Sequence, residues 1–105
     1  MAVVYISEYA KLGREAYGGP GTNIQAPLEP AIRNQTVAIG SSSVQSAEFN
    51  KETTIVLLAT DAICSVKFGT DPNAKATDMR LAANTSQFFA VAPGSQLKVA
   101  VITNS

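Results

Sequence analysis

The chain reads as an all-β protein: an antiparallel β-sandwich, jelly-roll-like or Greek key, with a long irregular N-terminal arm. Three observations in its 105 residues lead there. From about Gln35 onward, apolar and polar residues alternate with period two in short runs. Polar or Gly/Pro turns separate these runs about every eight to twelve residues, as in small sandwiches and barrels. Helical periodicity is nearly absent, which excludes a βαβ architecture.

Residues 3–8 form the first strand signal, with Val4 and Ile6 on one face and Val3 and Tyr5 on the other. Residues 9–13 have room for one helical turn, ended by Gly13. The run Tyr17-Gly18-Gly19-Pro20-Gly21-Thr22-Asn23 is the strongest loop signal in the chain. The spaced prolines of Ala26-Pro27-Leu28-Glu29-Pro30 favour an extended, polyproline-like path. So long a stretch without elements is either functional or disordered in a compact domain. Residues 1–34 are therefore an N-terminal strand and arm, and 35–105 a β-sandwich, within one globular domain.

Strands are expected at 35–39, 44–49, 53–60, 63–68, 79–83, 87–91 and 96–103. The 53–60 run is apolar on both faces in its middle, as in a central strand covered on both sides. Asp61-Ala62 is a two-residue corner, so 53–60 and 63–68 are expected to form a tight hairpin. Residues 69–78 form a long polar loop. The expected core is Val37, Ile39, Phe49, Ile55, Leu57, Cys64, Val66, Phe68, Leu81, Phe89, Val91, Leu97, Val99 and Val101.

Eight basic and eight acidic residues give zero formal charge, and charged residues are 15% of the chain. The average protein is nearer about 25%. Such a neutral surface suits packing into an assembly. The cations are scattered, whereas nucleic-acid binding needs several on one face, so no nucleic-acid partner is expected. Residues 1–6 are apolar but lack a basic start and stop at Ser7-Glu8, so no signal peptide is read there. No apolar run approaches a membrane span, so no membrane partner is expected.

The inventory argues against an enzyme. Without histidine, a Ser-His-Asp triad, a Cys-His pair and a His-ligated zinc site are excluded. The single cysteine, Cys64, permits no intrachain disulfide. It shares a strand face with Val66 and Phe68 and reads as a small buried hydrophobe. No glycine-rich phosphate loop stands between a strand and a helix. Paired carboxylates among Asp61, Asp71, Asp78, Glu48 and Glu52 have the chemistry for glycoside hydrolysis. Turn roles account for each of these aspartates. Asp71, Asn73 and Asp78 offer hard oxygens to calcium, but their spacing matches no calcium loop. No catalytic residue, cofactor or metal is expected.

The candidate interaction residues are Tyr5, Tyr9, Tyr17, Pro20, Ile24, Pro27, Leu28, Pro30 and Phe88. The tyrosines lie in or beside the arm, where an amphipathic ring suits an interface. Phe88 and Phe89 are adjacent, so on a strand they face opposite ways. Either both are buried or one is exposed as an anchor.

Val3-Val4-Tyr5-Ile6-Ser7-Glu8-Tyr9 is followed by a loop ending in Glu29-Pro30-Ala31-Ile32 and the strand Gln35-Thr36-Val37. Then come Cys64-Ser65-Val66-Lys67-Phe68-Gly69, Ala76-Thr77, Met79-Arg80-Leu81-Ala82-Ala83-Asn84, Phe88-Phe89-Ala90-Val91 and Pro93-Gly94. This layout resembles the small β-sandwich virion structural proteins of tailed bacteriophages, of the capsid decoration or cement type. The resemblance covers most of the chain and rests mainly on strand and turn signals. It implies no catalytic residue. It implies a symmetric homo-oligomer on the capsid surface, made in the host cytoplasm, that bridges major capsid subunits or another virion protein. A head-to-tail connector or tail component is the alternative, and a carbohydrate or host-surface binding module a further one. The arm is the expected contact element, able to add a strand to a neighbour's sheet edge.

Overall fold

The computed structural model describes residues 2–14 and 23–104, with the backbone alone for 13, 14 and 23–25. Among these residues there are ten strands and no helix. They are β1 (Val3–Tyr9), β2 (Leu12–Arg14), β3 (Asn23–Pro27), β4 (Arg33–Ala38), β5 (Val44–Gln45), β6 (Ile55–Thr60), β7 (Cys64–Gly69), β8 (Met79–Leu81), β9 (Thr85–Ala90) and β10 (Lys98–Thr103). The first sheet has the order β4-β1-β6-β9 and the second β5-β10-β7-β8. Every pairing is antiparallel. A separate ribbon, β2-β3, forms the base of the arm, with a register shift between Leu12 and Arg14.

The topology is that of a jelly roll. Three nested pairs, β5·β10, β6·β9 and β7·β8, form one long antiparallel ribbon that folds over itself. Gln45 faces Ala100, Ile55 faces Ala90 and Cys64 faces Leu81. Each step along one arm of the ribbon is matched by an equal step along the other, so a single register holds about a centre between Pro72 and Asn73. The pair β1·β4 completes the roll. Its β1 slots between β4 and β6, so the first strand in sequence is central in its sheet.

The core lies between the sheets: Val4, Ile6, Val37, Val56, Leu58, Cys64, Val66, Leu81, Val99 and Val101, with Phe49 at one end. Phe68 bridges Phe49 and Phe89, with ring centroids 6.2 and 5.1 Å away and tilted planes. Such tilted aromatic contacts add to what area burial alone supplies.

Four expectations are corrected. The strands 53–60 and 63–68 form no hairpin, because β6 and β7 belong to different sheets. A two-residue hairpin turn needs positive φ, and the positive-φ non-glycine residues described are only Asn84 and Gln96. Asp61-Ala62 instead carries the chain across the sandwich. Asp61 Oδ1 accepts from the Val3 amide at 2.8 Å, and the Thr60 hydroxyl donates to the Ala62 carbonyl at 2.6 Å. Second, β6 buries Val56 and Leu58, while Ile55 and Leu57 are half-buried on the opposite face. Third, Leu12 sits in β2 rather than a helical turn, because the chain there pairs with β3. Fourth, the 44–49 strand is regular only at Val44–Gln45. Residues 46–50 leave the ladder as a strap across the open side of the sandwich.

That strap is held from both sheets. The Val99 carbonyl of β10 accepts from the Ser46 amide at 2.8 Å, and the Leu97 carbonyl, just before β10, from the Phe49 amide at 2.9 Å. From β4, Gln35 Oε1 accepts from the Ala47 amide at 2.9 Å and Arg33 Nη1 donates to the Glu48 carbonyl at 2.9 Å. From β1, Glu8, fully buried, accepts through Oε1 from the Asn50 amide (2.7 Å) and the Thr53 hydroxyl (2.8 Å). Its Oε2 accepts from Gln35 Nε2 at 3.2 Å, with Arg33 Nε 3.8 Å away. A carboxylate tolerates such burial only when its oxygens are hydrogen-bonded.

Candidate functional site: the outer face of the first sheet

Period-two alternation sends every second side chain of the first sheet away from the core. The register arranges them in rows: Thr36, Tyr5, Ala59 and Ser86, then Asn34, Ser7, Leu57 and Phe88, with Tyr9, Ile55 and Ala90 beyond. None of these side chains is charged. Tyr5 and Phe88 are the large exposed residues, at 54% and 51%. Leu57 lies half-buried beside Phe88, directly paired with it across β6 and β9. Ser7 donates to Asn34 Oδ1 at 2.6 Å, so the polar pair on this face is internally bonded.

Shallow depressions surround the two aromatics. One is lined by Leu12, Pro27, Ile55, Phe88, Phe89 and Ala90, so the base of the arm borders the sheet face there. Two others flank Tyr5. One lies toward Asn34 and Thr36, the other toward Ala59, Asp61, Asn84 and Ser86. Charge enters at the ends. Asp61 stands at one, and at the other Glu29 Oε2 accepts from the Tyr9 hydroxyl at 2.9 Å.

The nine candidate interaction residues are distributed unevenly. Tyr5, Pro27 and Phe88 share this surface. Leu28 and Pro30 are exposed on the segment between β3 and β4. That segment is anchored by the Leu28 amide on the Lys11 carbonyl (2.9 Å) and the Ile32 amide on the Glu8 carbonyl (2.7 Å). The peptide bond between Glu29 and Pro30 is cis. Tyr9 is buried. Burial, and then the Glu29 carboxylate, pushes its phenol above the usual range. Ile24 lies in β3, where only the backbone is described, and Tyr17 and Pro20 lie outside the described residues. Phe88 faces out while Phe89 packs on the core. Leu57, Ile55 and Ala59 complete the surface and were missed by sequence reasoning. The signal for them is present in β6, since an apolar run with period two must present one of its two faces outward.

The two aspartates of the 69–78 loop have local partners. Asp71 Oδ1 accepts from Gln45 Nε2 at 2.8 Å, and Asp78 Oδ2 from the Lys75 amide at 2.8 Å. Among the described residues, no three His, Cys, Asp or Glu side chains gather as a metal site requires. Cys64 is buried, and burial pushes its thiol up, against the opposite pull of the Thr60 hydroxyl 3.7 Å away. No helix among the described residues is long and apolar enough to cross a membrane. What the outer face offers is an uncharged surface with two exposed aromatic rings. No protein-family model matches the chain, and no curated protein and no solved structure matches it either.

Proposed function

We propose that this chain is a non-enzymatic structural protein of a phage virion, a capsid decoration or cement protein that bridges major capsid subunits. The observation that carries the reading is the uncharged outer face of the first sheet, with Tyr5 and Phe88 half-exposed upon it. Aromatic residues and depletion of charge mark the buried centres of protein interfaces. The jelly roll supports that face rigidly, because its other side is the core. The base of the arm adjoins it at Leu12 and Pro27, which extends the apolar surface beyond the sheet. The sequence resemblance to virion proteins points the same way.

The test is protein composition and copy number in intact particles. Virions purified from the producing host are expected to carry the chain in hundreds of surface copies. Particles stripped of it are expected to rebind the native protein but not the Tyr5→Asp variant. A few rings' worth of copies assigns a connector or tail role instead. Particles without the chain overturn the reading.

A further inference from the structure

The four outer edges of the two sheets are not equivalent. In the second sheet, β5 has two residues and β8 three, too few to template another strand. In the first, β4 begins at Arg33, and the strap of residues 46–50 is bonded to its side chains. β9 is six residues long, uncharged, without proline, and in unbroken register with β6. Folded proteins blunt long edges with charge, proline, bulges or short length, and β9 has none of these.

The phase of the ladder identifies the open groups. The Asp61 amide donates to the Val3 carbonyl and the Val91 amide to the Thr54 carbonyl. Alternation along the antiparallel strands then aims the N–H and C=O of Thr85, Gln87 and Phe89 at β6, and those of Ser86, Phe88 and Ala90 away from it. No strand lies on that side among the described residues.

We propose that β9 pairs with β9 of a second copy of this chain, antiparallel, about a twofold axis at Phe88. This register engages all three outward-pointing residues: Phe88 faces its own counterpart, and Ser86 faces Ala90 in both directions. The two Phe88 rings meet across the axis, and the small flanking pairs leave them room. Direct aromatic pairs of this kind stabilise antiparallel ladders. With no charge anywhere on β9, self-pairing sets no like charges opposite each other. An antiparallel pair about a twofold axis is also the closed, isologous arrangement most homodimers adopt. The product is one eight-stranded sheet whose two neutral outer faces are continuous. The pairing does not depend on the virion reading and is tested without particles.

The experiment follows mass by light scattering and amide exchange by NMR, from low micromolar to several hundred micromolar protein. The native chain is expected to shift toward twice its 11.0 kDa mass. The Ser86, Phe88 and Ala90 amides are expected to slow by about tenfold or more over the same range. The Gln87 and Phe89 amides, already bonded to β6, are expected to stay unchanged. Ser86→Pro removes an outward N–H that β6 does not use, a position where an edge strand tolerates proline. Phe88→Lys sets two cations at the axis. Both variants are expected to remain monomeric with a native circular dichroism spectrum. A monomer at all concentrations, or a dimer whose three outward amides exchange freely, overturns the pairing. If either variant fails to fold, the native exchange pattern decides alone.

Discussion

The two edges of the first sheet end in different chemistry. At β4, side chains reach past the strand and hold the 46–50 strap. Gln35 and Arg33 grip its backbone, and the buried Glu8 accepts from the Asn50 amide at its far end and from the Thr53 hydroxyl beyond it. At β9, no strand pairs with the outward side among the described residues. The strap side therefore joins the two sheets through directional polar bonds. The β9 side relies on Phe89 packing beneath it. A buried polar network fixes one geometry, because each partner left unsatisfied is costly, whereas an apolar edge leaves room for a further strand.

The largest expected effect comes from cutting the network at its centre. Glu8→Ala orphans the Asn50 amide and the Thr53 hydroxyl, at about 1–3 kcal/mol each. Urea denaturation is expected to show a loss of about 2–5 kcal/mol, with amide exchange in 46–50 accelerating first. If the loss stays near the few tenths expected of an exposed site such as Ser86→Ala, the two edges are not energetically different. Gln35→Ala leaves Glu8 its other partners and removes the grip on Ala47, with an expected loss of about 1–2 kcal/mol.

The smallest effect is a pH dependence at Tyr9, next to Glu8 in β1. Its phenol ionises above the ordinary value of 10.0 because it is buried and bonded to Glu29. Below about pH 10 the phenol is neutral whether the chain is folded or unfolded, and its contribution is fully present. As pH rises further the unfolded chain loses this proton first, so stability falls through the folded value. Alkaline titration of tyrosinate absorbance is expected to show a late component that Tyr9→Phe removes, together with a shallower loss of stability.

Fold class was legible because alternation and turn spacing are local signals. The jelly-roll order was not fully legible, because pairing partners such as Gln45 and Ala100 are joined only in space. At 53–60 the apolar residues occupy both faces. Composition there could not tell Val56 and Leu58, which meet the core, from Ile55 and Leu57, which look outward. That choice is made by the register with β1, where Ile6 faces Leu58 and Ser7 faces Leu57. The role of Glu8 was not legible, since nothing adjacent in sequence announces Asn50, Thr53 and Gln35 as its partners. Of the surface residues, Tyr5 and Phe88 were legible as aromatics without a local partner. The neutrality of the rows between them emerges only once four strands are aligned.

The central place of β1 also bears on how the chain reaches this structure. Its two neighbours are β4 and β6, so Val3 is matched with Ala38 on one side and Val4 with Thr60 on the other. During synthesis β1 emerges before both of its partners and waits for them to follow. The ribbon that wraps the sandwich closes later still, when Gln45 meets Ala100. Closure of such distant pairs is what slows all-β chains to about milliseconds to seconds. The strand at the middle of the finished sheet thus keeps both edges open until β4 is made and one until β6 is, and in that interval an open edge is a template for another copy's strand.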